Sequence, residues 1–209
     1  LAQTRGRLLL EQVRDRAASL FGVSAQLAQR HGGLVETLLD LEAGIRLFVI
    51  GKRGEHANFA SGHLGSNLER VMRAVHRPVL IASRDFKPIQ RFTISFDGSP
   101  TTRRCVQMVC ASPLLKDLDC ELLTVGEDAD ERRQQMQWAK EQLQAAGFQP
   151  LLRYIDGSPD AVIPATVKEF AIDLLVMGAY GHSRIRNLIV GSTTTQVLRS
   201  SPIPVLLLR

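Results

Sequence analysis

The residues best suited to chemistry gather near the end of this chain. Gly178 and Gly181 enclose two residues, nine more lead to Gly191, and Ser192, Thr193 and Thr194 follow. Glycines let a backbone approach a phosphate closely and take positive φ where a turn needs it. Hydroxyls at a helix start stand beside free N–H groups and the positive end of the helix dipole, which suits an anion. His182, Arg184 and Arg186 add positive charge between the second and third glycines; they either screen phosphates or sit in solvent. The spacing is G-x2-G-x9-G-[ST], and it matches neither G-x-x-x-x-G-K-[ST] nor G-x-G-x-x-G. The plain alternative is a strand-to-helix turn without a ligand, in which Ser192, Thr193 and Thr194 only cap the helix.

Two residues far from this loop have the right chemistry to join it. Asp97, in Asp97-Gly98-Ser99-Pro100, can accept hydrogen bonds from hydroxyls or an exocyclic amine. It can equally be a turn-forming Asp. Val125 offers an apolar face to a base, or simply fills a core.

These residues need a scaffold that carries strand ends to one place. Strand patterns run from Arg91 to Phe96, Asp119 to Val125, Gln149 to Ile155, Asp173 to Met177 and Val205 to Leu208. Helix patterns lie between them, from Thr101 to Ser112, Glu131 to Ala146, Ala161 to Phe170 and Thr193 to Ser200. Such alternation predicts a parallel sheet covered on both faces. Ligands of such sheets sit beyond the carboxyl ends of the strands, at a topological switch point. Asp97, Val125 and Gly178 each close a strand, so they are expected to converge on one crevice.

An earlier part of the chain repeats this pattern. Gly51-Lys52-Arg53-Gly54 precedes Gly178-Ala179-Tyr180-Gly181 by 127 residues, and the strand Ile45–Ile50 precedes Ile172–Met177 by the same offset. Gly65-Ser66 and Pro78-Val79-Leu80 precede Gly191-Ser192 and Pro204-Val205-Leu206 by 126. Leu10, Val13, Ala17 and Leu20 form a helical stripe repeated by Met136, Ala139, Leu143 and Ala146. Both stripes are expected to be buried on a sheet, with Gly22 and Gly147 ending their helices. The boundaries expected are a first unit over 1–86 and a second over 87–209. The first unit is incomplete: counterparts of its first strand, first helix and second strand would precede Leu1, so a longer native chain is expected. Ser24 to Gln29 reads as a possible strand.

Composition narrows the function. At 44% hydrophobic and 22% charged, the chain has the balance of a soluble globular protein. No apolar run approaches the ~20 residues of a membrane helix, and no secretory pattern opens the sequence. Residues 1–86 carry 12 Lys and Arg against 8 Asp and Glu, and residues 87–209 carry 14 against 13. With aromatics at 5%, neither a basic stripe nor a stacking platform is supplied, which argues against nucleic acid. Cys105, Cys110 and Cys120 have no C-x2-C spacing and read as small buried hydrophobes in a reducing cytoplasm.

The full string of strand, glycines, hydroxyls and closing Pro204-Val205-Leu206-Leu207-Leu208 resembles the nucleotide-binding motif of the universal stress protein family. Both units look like domains of that family, and together they resemble its tandem members. The resemblance implies two Rossmann-like α/β domains of the adenine nucleotide alpha hydrolase type, each with a parallel sheet of order 3-2-1-4-5, the first incomplete. It implies ATP or a related adenine nucleotide as ligand, with Mg²⁺ on the phosphates. The matching positions are Asp97, Val125, Met177, Gly178, Gly181, His182, Gly191, Ser192, Thr193 and Thr194. It also implies pairing of the last strands, Val79–Ala82 with Val205–Leu208, inside one chain or between copies.

The first unit departs from that motif. Ten residues, not nine, separate Gly54 from Gly65, and Asn67 stands where the second unit has Thr193. Weak or no nucleotide binding is expected there, and His56 and His63 are expected to be solvated rather than metal ligands. Three functions follow as expectations: a nucleotide-binding stress-response regulator in the cytoplasm, a scaffold acting through its surfaces, or a slow ATPase. Efficient phosphoryl transfer would need a positioned nucleophile, metal ligands and a charge clamp, and the loop offers no obvious second carboxylate or lysine.

Overall fold

The computed structural model describes residues 2–52, 66–127, 129–179 and 192–209. The chain opens with helices α1 (Ala2–Phe21) and α2 (Leu34–Leu41), then strand β1 (Phe48–Gly51), α3 (Ser66–Ala74) and β2 (Val79–Ala82). There follow β3 (Arg91–Ser95), α4 (Pro100–Ala111), β4 (Asp119–Val125), α5 (Asp130–Ala145) and β5 (Leu151–Ile155). The chain closes with α6 (Pro159–Glu169), β6 (Leu174–Gly178), α7 (Ser192–Ser200) and β7 (Val205–Leu208). Local signals explain several boundaries. Pro100 sits in the first turn of α4 behind the Ser99 cap, whose hydroxyl accepts from the Thr102 N–H. Gly147, at φ 93°, lets the N–H of Phe148 reach back to Leu143 and closes α5.

One sheet unites the strands in the order β1-β2-β7-β6-β3-β4-β5. From β3 onward all neighbours are parallel, and these five strands have the order 3-2-1-4-5 expected of the second unit. β1 and β2 are parallel to each other, and β2 joins β7 antiparallel. Leu80 lies directly opposite Leu206 in that join. These two residues are equivalents in the sequence repeat, so the join carries a local two-fold relation.

Alternating side chains feed two cores, one on each face. One combines α3, α6 and α7 through Val71, Ile163 and Val197 against Ile81, Leu175 and Leu207. The other packs α4 and α5, through Val106, Met136 and Leu143, on Phe92, Ile94, Leu122 and Val176.

Two expectations for the first unit need correction. Residues 22–31 hold no strand, so Ser24 to Gln29 is irregular chain. α1 forms, but its stripe is not buried on the sheet: Val13 is 61% exposed and Leu20 is exposed as well. The reason is visible in the second unit, where the matching stripe on α5 is covered by α4 and β4. No described element does this for α1. The same lack leaves Val49 63% exposed, whereas its repeat equivalent Val176 is fully buried.

Candidate functional site

The second unit's strand order places a switch point beside β3. From β3 the chain moves to β4 and β5 on one side, then returns to β6 on the other. In open α/β sheets such a point is where the connections diverge and a ligand crevice is expected. Register fixes the depth of each residue. Ser95 pairs with Leu123, and Phe96 donates to the Leu123 carbonyl, so Asp97 and Val125 lie at one level. Ile94 pairs with Val176, so Gly178 lies level with Phe96. Asp97, Val125 and Gly178 are thus brought to the same edge of the sheet.

Asp97 is half-buried and held in place. Its Oδ1 accepts from the Ser99 N–H at 2.9 Å and from the Thr102 hydroxyl at 2.7 Å. Gly98, at φ 76°, makes the turn sharp enough for this. The carboxylate consequently stands at the start of α4, where the helix dipole favours its charge.

Gly178 meets the same helix start. A Cβ added there would lie 2.9 Å from the Thr101 Cγ2 and 3.5 Å from the Thr102 Cγ2. Glycine is therefore required by close approach, and this contact ties the end of β6 to the helix that holds Asp97. Beyond it, the Ala179 N–H donates to the Leu208 carbonyl, and the Ala179 carbonyl accepts from the Thr194 hydroxyl at 3.1 Å. Thr194 is buried, so its hydroxyl pins the first turn of α7 to the entry of the glycine loop. Thr193 is half-buried beside it, and Ser192 opens the helix.

Met177 and Val125 contribute differently. Met177 is buried in the core, so only its backbone can reach the crevice. Val125 is half-buried at the end of β4, opposite Ile155, with Gly126 turning the chain away at φ 116°. Gly181, His182 and Gly191 lie outside the described residues, as do His56 and His63. Among the described residues no group of His, Cys, Asp and Glu is arranged to hold a metal ion.

Cys105 and Cys120 are buried, and Cys110 is half-buried. Burial pushes the thiols of Cys105 and Cys120 up to about 12, with nearby Asp97 adding to the first, and Cys110 and Glu121 to the second. At neutral pH both are protonated. A separate cleft of about 750 Å³ lies over α5 and β5, lined by Arg133, Gln137, Trp138, Glu141 and Tyr154.

The sequence profile of the Universal stress protein family matches residues 88–209. A universal stress protein of Synechocystis sp. is 36% identical over 211 residues, spanning all of this chain and 74% of the relative. The chain belongs to the universal stress protein family. The crystal structure of a universal stress protein from Archaeoglobus fulgidus DSM 4304 superposes with a TM-score of 0.80 at 23% identity. That match covers 99% of this chain and 77% of the other, and it supports the fold. A universal stress protein solved in complex with cAMP is 24% identical with a TM-score of 0.50, over 59% of this chain and 98% of that one. As a universal stress protein, the chain has its α/β fold and mostly parallel sheet in common with these structures.

Two features of the site were not read from the sequence. Thr102 holds Asp97, and Thr101 sets the need for Gly178. A helix-start hydroxyl five residues after an Asp was the available signal for the first. The second is a contact across 77 positions and left no local trace.

Proposed function

We propose that the chain binds ATP or a related adenine nucleotide in the crevice between β3 and β6. Asp97 accepts from a ribose hydroxyl or the exocyclic amine, and Val125 packs against the base. The backbone of Met177 and Gly178 forms the wall. Gly181, His182, Gly191, Ser192, Thr193 and Thr194 surround the phosphates, with Mg²⁺ as their companion ion. Residues 87–209 are the binding domain. Residues 1–86 are a second, degenerate domain joined to it through β2 and β7 as an intramolecular pair. The protein acts as a cytoplasmic stress-response regulator that reports nucleotide rather than turning it over. Among the described residues no helix is long and apolar enough to cross a membrane.

The observation that carries this reading is the convergence of Asp97, Val125 and Gly178, one residue apart in register, at the strand ends beside a switch point. The related structure with cAMP is a further support. A scaffold function is the second reading, because Asp97 Oδ1 and the Thr194 hydroxyl already have partners within the fold.

Calorimetric titration of ATP into nucleotide-free protein separates the two. Asp97→Asn keeps an oxygen for Ser99 and Thr102 but removes the charge. It should fold normally and bind ATP about tenfold or more weakly, the cost of a charged hydrogen bond. No heat from the wild type would favour the scaffold, and equal heats from both proteins would remove Asp97 from the site.

A further inference from the structure

We propose that Lys52 is a positioning residue for the crevice of the other half of the molecule. It would act through the far end of α7. This inference rests on the nucleotide reading of that crevice.

Lys52 follows β1 inside the first unit's own glycine pattern, yet its ammonium points elsewhere. Its Nζ donates to the carbonyls of Arg199, at 2.8 Å, and Ser201, at 3.0 Å. Those carbonyls lie at the end of α7, where orphan acceptors and the negative end of the dipole collect. The local sequence closes only part of this end, through the Ser200 hydroxyl on the carbonyls of Gln196 and Val197. The Ser201 N–H reaches Val197, but Pro202 follows and has no N–H to give. Lys52 supplies donors and charge where the backbone has run out.

α7 has nine residues, a length that is marginal without tertiary support. Its other end carries Thr193 and Thr194, with Thr194 bonded to Ala179 at the entry of the glycine loop. Fraying at Arg199 therefore loosens a helix whose first turn must be in place before a phosphate arrives. A preordered turn spares that cost on binding.

The arrangement is reciprocal. Arg209, just after β7, donates through Nη1 to the carbonyl of Arg73 at the end of α3. Arg73 and Arg199 are equivalent positions of the repeat, 126 residues apart. The donors are not equivalent: Ala179 stands where the first unit has Lys52, and Ser83 stands where the second has Arg209. Each half thus closes the loop-bearing helix of the other with a cation of its own.

The test uses the full chain with Lys52→Met, Lys52→Arg and Arg209→Met. Amide hydrogen exchange without nucleotide reads the first turn of α7, and ATP titration reads the crevice. Lys52→Met should lose protection there and weaken ATP binding about fivefold, the scale of a charge at a helix end. Lys52→Arg should restore both, and Arg209→Met should leave α7 protected. Unchanged exchange in Lys52→Met overturns the inference, as does lost protection with unchanged affinity. If the wild type takes up no ATP, the nucleotide reading fails by itself, while the exchange result still decides whether Lys52 orders α7.

Discussion

Asp97 and Gly178 serve the fold and the crevice at once. The Asp97 carboxylate organises its own turn through Ser99 and Thr102. Gly178 lets β6 end against Thr101. A methyl group at 178 has to displace the Thr101 side chain in the first turn of α4, and overpacking of this kind costs about 1–3 kcal/mol. Gly178→Ala should therefore melt several degrees lower, and it should weaken nucleotide binding because the Asp97 turn moves with α4. Thermal denaturation followed by circular dichroism checks the first part. A variant that melts like the wild type would mean that Thr101 yields freely.

Single elements are fixed by charges that sit far from the crevice. Glu121, in the middle of β4, is 3% exposed and meets Arg153 of β5 at 2.6 Å. Arg153 in turn lies over the Phe170 ring, at the end of α6. Arg91 donates to the Phe170 carbonyl, so α6 is seated on this cluster. Removing Glu121 takes away the charged hydrogen bonds it accepts from Arg153, at a cost of about 2 kcal/mol. Glu121→Ala should lower stability to urea by that amount and leave the nucleotide affinity of the folded protein unchanged. A large loss of affinity would contradict the separation of the two regions.

Glu42, after α2, holds the turn between α3 and β2. Burial raises its pKa, but the N–H groups of Arg77 and His76 and the His76 ring outweigh this and hold the carboxyl below its usual range. A depressed folded value means stability that is present above the unfolded pKa of about 4.3. It is lost as pH falls through the folded value. Urea denaturation from pH 6 to pH 3 should show a steeper loss for the wild type than for Glu42→Gln. Parallel curves would remove Glu42 from the acid response. The strands and helices of the second unit were legible because period and punctuation agree there, as at Ser99-Pro100 and Gly147. The α1 stripe was legible as a helix, but its exposure is a tertiary fact. Glu121 in a buried strand reads as an anomaly until Arg153, 32 positions away, is placed beside it.

At the scale of the whole molecule, seven strands form one sheet through the join of Leu80 with Leu206. The repeat made two similar halves readable, because glycines and prolines recur at offsets of 126 and 127. The cross-capping by Lys52 and Arg209 was not readable, since it links residues 147 and 136 positions apart. The halves are unequal at the crevice. Ten residues rather than nine separate Gly54 from Gly65, and Asn67 stands where the second half has Thr193, so one site per chain is expected rather than two. The most direct measurement is the nucleotide content of the purified protein: denature it, identify the released ligand by mass spectrometry, and titrate ATP back by calorimetry. About one adenine nucleotide per chain, lost when Gly191 is replaced by a bulky residue, is the predicted result. Absence of any bound or titratable nucleotide would contradict the binding function, and two per chain would contradict the inequality of the halves.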